Sequence, residues 1–181
     1  QYVVHQTRNI PEPDDIAFTE RFQKLRKLCL STTTVLSAPT TSHPKISALS
    51  ITSLSFTGIC KLQSPLDPAS LPFVRSLTVS LIDHVPPTNI SPLLPQLTLL
   101  IILNVDPYTI AEYVTLSTSL KLLSLSLHAI EDLNLDTQVI IRDRIEILRI
   151  VIDGSWPSHG PLSAIVNGSR VLETVIVDGS K

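Results

Sequence analysis

The stretches that decide the fold are Leu97-Thr98-Leu99-Leu100-Ile101-Ile102 and, twenty-three residues on, Leu120-Lys121-Leu122-Leu123-Ser124-Leu125. Both follow one pattern: an apolar residue, two free positions, an apolar residue, one free position and a third apolar residue. Working outward, the same pattern stands at Leu25/Leu28/Leu30, Ile46/Leu49/Ile51, Val74/Leu77/Val79, Ile145/Leu148/Ile150 and Leu172/Val175/Val177. Successive copies lie 21, 28, 23, 23, 25 and 27 residues apart, a mean near 24.5. Side chains alternate along a strand, so the second and third apolar residues of each copy share one face. A single short strand cannot bury that face alone. Stacking the copies side by side gives a parallel sheet with a continuous core, so the expectation is seven parallel strands in chain order, centred near 28, 49, 77, 100, 123, 148 and 175.

The segments between copies carry helix-start signals. Asp106-Pro107 places a capping acceptor before a proline at the first helical position, with Ile110, Ala111 and Val114 following at helical spacing. Ser91-Pro92 and Gly160-Pro161 repeat this, Asp136 is set to cap Thr137–Arg144, and Asn167-Gly168 is a plausible stop. Ser64–Pro72, with three prolines, reads as irregular. Asp14 or Asp15 can cap an amphipathic helix running through Phe18, Phe22 and Leu25, giving a helical lead-in over residues 1–24 before repeats over 25–181.

The repeating copies resemble the leucine-rich-repeat family over roughly residues 14–178. The resemblance implies an α/β solenoid with helices or irregular crossovers on its convex side, as a single domain over 1–181. The family's Asn or Cys ladder is missing: its positions hold Thr33, Leu54, Ile82, Val105, His128, Asp153 and Ser180. Degenerate repeats with Pro- and Ser-rich crossovers look like those that follow the F-box in fungal F-box-type proteins. That likeness implies substrate recruitment for a ubiquitin ligase; no F-box motif lies in this chain. The sensor repeats of an immune-type receptor, a structural repeat segment packed on another domain of its own chain, and a small α/β enzyme are the other readings.

Composition bounds the function. Of 181 residues, 43% are hydrophobic and 17% charged, which places the chain among ordinary globular domains. The net charge is −2, and Lys and Arg do not cluster, so neither nucleic acid nor a membrane surface is an expected partner. The most apolar run, Leu97–Val105, is too short to span a bilayer, and residues 1–15 do not form a signal peptide. Cys29 and Cys60 lack CxxC spacing and read as free thiols of a reducing compartment, which points to an intracellular location, cytoplasmic or nuclear. The sequons at Asn89–Ser91 and Asn167–Ser169 are short enough to arise by chance and do not argue for secretion. The chain begins at Gln1 and has no methionine, which suggests a fragment of a longer chain with further repeats downstream.

Catalytic chemistry is not signalled. The chain has no GxSxG, GxGxxG, P-loop or HExxH, and only five glycines. Asp83-His84 at a strand exit reads as turn polarity, and Asp83, Asp106, Asp153 and Asp178, all at strand ends, read as caps rather than a metal rim. No catalytic residue, cofactor or metal is expected. The candidate site is a surface. The third, fifth and seventh positions of each copy point away from the core, to the concave side. Early copies put small or polar residues there: Lys27, Cys29, Ser31; Ala48, Ser50, Thr52; Ser76, Thr78, Ser80. The later copies place Leu99, Ile101, Leu103, Leu122, Ile147, Arg149, Val151 and Ile176 there. Such a band is expected to hold another protein or another domain of the same parent chain, with Arg149 as its polar anchor; residues 1–13 are the alternative cover.

Overall fold

The computed structural model describes residues 2–6, 26–31, 34–36, 50–57, 60–62, 65–69, 71–80, 87–152 and 160–179. The chain divides into two compact units, residues 1–93 and 94–181, where the sequence suggested one domain.

In the first unit, β1 (Tyr2–Gln6), β2 (Lys27–Ser31), β4 (Ser53–Thr57) and β6 (Ser76–Ser80) pair in that order, all parallel. β3 (Thr34–Leu36) and β5 (Cys60–Leu62) form a separate parallel pair. Leu28, Leu54 and Leu77 stand in register and are buried, as are Phe56 and Val79. This corrects the second copy. Its strand is not centred on Leu49 but runs over Ser53–Thr57, and the frame that folds is Ile51/Leu54/Phe56. Ile51 serves both frames in sequence; the aromatic Phe56 gives the second the larger apolar area to bury. With that frame the first two steps become 26 and 23 residues, more even than 21 and 28. β1 was not anticipated. It replaces part of the helical lead-in expected over 1–24, and the helix expected through Phe18 and Phe22 lies outside the described residues.

The chain then runs through a short helix α1 (Pro87–Ile90) and a 3₁₀ helix (Ser91–Gln96), inside which the two units divide. In the second unit, β7 (Leu99–Leu103), β8 (Leu122–Ser126), β9 (Ile147–Ile152) and β10 (Thr174–Gly179) pair in chain order, all parallel. Leu100, Leu123, Leu148 and Val175 are aligned, and so are Ile102, Leu125, Ile150 and Val177. The residues of β7 to β9 in these rows are buried, which confirms the strand register read from the sequence.

Each crossover here is helical: α2 (Pro107–Leu116) after β7, α3 (Leu127–Glu131) and α4 (Leu135–Arg144) after β8, and α5 (Gly160–Gly168) after β9. α2 packs on α4, α4 on α5, and α3 on α5, β8 and β9. Asp106 caps α2 as expected, accepting from the Thr109 amide at 2.9 Å and the Thr109 hydroxyl at 2.6 Å. Partial burial pushes the Asp106 carboxyl up, but these bonds and the Tyr108 amide outweigh it and hold it below its ordinary value. α2 buries Ile110, Tyr113 and Val114; Tyr113, not Ala111, completes the stripe, and its burial pushes the phenol well above its ordinary range. α4 starts earlier than read: Asn134 is the cap, accepting from the Thr137 amide at 2.8 Å, and Asp136 sits in the first turn. α5 ends at Gly168, as the Asn167-Gly168 signal implied.

One hydrogen-bond device recurs along the strand starts. The Arg26 carbonyl accepts from both Thr52 and Ser53, and the Thr52 carbonyl from both Arg75 and Ser76. In the second unit the Thr98, Lys121 and Glu146 carbonyls each accept from the pair of amides that opens the next strand. Arginines serve the turns: Arg144 donates to the Val114 and Ser117 carbonyls at the end of α2, which no helical amide satisfies. Asn104, directly after β7, turns with φ of 55°, a conformation Asn tolerates better than most residues.

Candidate protein-binding face

The candidate residues lie in the second unit, on the face opposite the core rows. Alternation along β7, β8, β9 and β10 places Leu99, Ile101, Leu103, Leu122, Ile147, Arg149, Val151 and Ile176 there, as expected. Leu99, Ile101, Leu103, Leu122, Ile147 and Val151 are half-buried, and Ile176 is 40% exposed. Strand register sets Leu99, Leu122, Ile147 and Thr174 in one row, and Ile101, Ser124, Arg149 and Ile176 in the next. The first row is apolar from β7 to β9, while Ser124 and Arg149 stand between Ile101 and Ile176 in the second.

Two residues differ from expectation. Arg149 is not a free anchor: its Nε donates to the Asp178 carboxylate, one strand over on the same face. The Asp178 carboxylate thus already answers part of that guanidinium's charge. Ser124 was expected to lie open on this face, yet it is wholly buried and its Oγ has no hydrogen-bond partner among the described residues. Its register neighbours, Ile101 and Arg149, are both much longer, so the small side chain sits in a trough between them.

In the first unit the equivalent face is polar. Ser53, Ser55, Thr57, Ser76, Thr78 and Ser80 are half-buried along β4 and β6, and Ser53 reaches Ser76 at 3.4 Å. Cys29 is a free thiol on this face, 4.0 Å from the Thr57 hydroxyl. Asp83, His84 and Asp153 lie outside the described residues. Of the four strand-end aspartates, Asp106 is a helix cap and Asp178 an ion-pair partner. No group of three or more metal-ligating side chains comes together among the described residues.

One open depression of about 530 Å³ lies elsewhere on the second unit, lined by Arg142, Asp143, Gly168, Arg170 and Val171. Arg142 is committed to Asp143 through a forked pair of hydrogen bonds at 2.7 and 3.2 Å. The Arg142 hydrogen bond holds the Asp143 carboxyl below its ordinary value, with Arg170 adding to the effect. Of the two guanidinium groups there, that of Arg142 is already answered.

These features define an open, parallel α/β protein whose distinctive surface is an apolar sheet face rather than a cleft. Among the described residues no helix is long and apolar enough to cross a membrane. No family model, curated protein or solved structure matches the chain.

Proposed function

We propose that this chain is a protein-interaction scaffold and that the face built by β7 to β10 holds the partner. The observation that carries the reading is the half-exposed apolar band through Leu99, Ile101, Leu103, Leu122, Ile147, Val151 and Ile176, with the Arg149–Asp178 pair set within it. Large contiguous apolar patches on a protein surface mark interaction sites far more often than chance. An ion pair inside such a band adds directionality, because a partner must present a matching polar group or leave the pair unsolvated. The likeness of the repeats to those of fungal F-box-type proteins extends the proposal: the partner is a substrate protein, presented to a ubiquitin ligase whose adaptor binds a separate F-box module.

The experiment replaces Ile101 and Leu122 by Ser together. Half-buried residues cost less than core residues, so the melting temperature falls by only a few degrees. Proteins captured by the wild-type chain from cell extract, identified by mass spectrometry, are expected to be lost from the variant. An identical captured set for both forms removes this face as the site; a collapse of the melting transition assigns both residues to the core.

A further inference from the structure

Packing demands a glycine at position 168. A Cβ there would stand 2.8 Å from Arg142 Cδ, closer than such atoms approach, so glycine is what lets the Arg142 side chain lie across the end of α5. The residue before it is Asn167, and both are exposed. This pair is chemically set apart from the other asparagines. Asn9, Asn89, Asn104 and Asn134 precede Ile, Ile, Val and Leu, whose branched side chains shield the amide nitrogen that follows each asparagine. Gly168 has no side chain to shield its own.

The resting geometry holds the two groups apart. Asn167 lies in the last turn of α5, and its Nδ2 donates back to the Ser163 hydroxyl at 2.9 Å, away from Gly168. That bond is exposed, and helix ends fray. The chain is held on either side of the pair. Ile165, the buried residue of α5, fixes the helix before it. After it, the Ser169 hydroxyl donates to the Arg142 carbonyl at 2.6 Å and accepts from the Val171 and Leu172 amides. Opening of the turn between these two points disturbs no buried side chain.

We propose that Asn167 is a site of spontaneous deamidation in the folded chain, reached by opening of the last turn of α5. The Gly168 nitrogen loses its proton to base and attacks Asn167 Cγ. A bond forms between that nitrogen and Cγ, the bond from Cγ to Nδ2 breaks, and ammonia leaves, which gives a cyclic imide. Water then opens the ring at either carbonyl, to aspartate or to isoaspartate, and no oxidant or reductant takes part. The new carboxylate stands at the negative end of the α5 dipole and lacks the amide that bonded Ser163, so the product favours the open turn.

The test is prolonged incubation of the intact chain over a range of mildly alkaline pH, followed by trypsin and mass spectrometry. The peptide 150–170 is expected to gain the mass difference between an amide and an acid, with fragment ions placing it at residue 167. Its rate is expected to rise in proportion to hydroxide, while peptides carrying the other asparagines stay unchanged. Gly168→Ala, which shields the nitrogen, is expected to lose most of the conversion. Leu123→Ala separates local from global opening. It weakens the core of the second unit, so a rate that required unfolding of that unit would rise by about a hundredfold. A rate set by the turn alone is expected not to change. Four results would each overturn the inference: a peptide 150–170 that stays unmodified while a synthetic peptide of the same sequence converts, conversion spread evenly over the asparagines, undiminished conversion in Gly168→Ala, or the large rise in Leu123→Ala.

Discussion

Adjacent residues of β8 are expected to give opposite mutational outcomes. Leu123 is fully buried and lies between Leu100 and Leu148, both also fully buried. Leu123→Ala removes three carbons, a transfer loss of about 2.5 kcal/mol. Strands on both sides hold the walls of the hole in place, so little relaxation is available and the total reaches about 3–4 kcal/mol. For a chain of this size that lowers the melting temperature by about 10 °C. Ser124 is just as buried, but its Oγ has no partner among the described residues. Ser124→Ala relieves a desolvated hydroxyl and leaves almost no cavity, so stability stays level or rises by up to about 1 kcal/mol. Urea and thermal unfolding followed by circular dichroism measure both. Equal losses from the two substitutions would place the strand one residue out of register.

Phe56→Ala is expected to cost about 3–5 kcal/mol, as a buried aromatic of the Ile51/Leu54/Phe56 frame; a near-silent result in the same unfolding assay would return the second strand to Leu49. Asp106→Ala should cost about 1 kcal/mol through loss of the α2 cap, and Asp106→Asn far less. The Asp106 carboxyl titrates lower in the folded chain than its ordinary 3.8, so its extra stability is complete above that value and disappears as pH falls through the folded value; the gap between wild type and Asp106→Asn should close in acid, not in base. Arg144→Ala leaves the Val114 carbonyl without this donor, while the Ser117 carbonyl keeps the Leu120 amide, and should cost about 1–2 kcal/mol; Arg144→Lys should recover only part, since the shorter lysine does not place its ammonium where Nη1 stands. Lys121→Ala, which breaks an exposed pair with Glu146, should leave the unfolding midpoint unchanged in physiological salt.

The second unit was largely legible in the sequence because one frame, Leu97/Leu100/Ile102, continues through all four of its strands. Leu122/Leu125/Leu127 and Ile147/Ile150/Ile152 fit the pattern too, but that frame breaks at Asn104 and Thr174, and the Asp106-Pro107 signal fixes where the first crossover helix begins. The second copy was not legible, because Ile51 ends one frame and opens another, and only packing chooses between them. β1 was missed for a different reason. Tyr2–Gln6 stands at the start of the given sequence, without room for the leading apolar residue that marks the other copies. Asn134 and Asp136 are both good caps, and the first wins by presenting its side chain to the Thr137 amide three residues on. For the candidate face, alternation correctly assigned which side each residue takes. It does not report depth: the burial of Ser124 depends on its neighbours across strands, and so does the pairing of Arg149 with Asp178.

Parallel strands in the Leu100–Leu123–Leu148–Val175 register give the second unit one core face and one partly exposed apolar face. Couplings across backbone hydrogen bonds, measured by NMR on the labelled chain, read that register directly. Correlations are expected from the Leu122 amide to the Thr98 carbonyl, from Ile147 to Lys121, and from Thr174 to Glu146. Correlations that pair any of these strands antiparallel, or that join β7 directly to β9, are incompatible with that register.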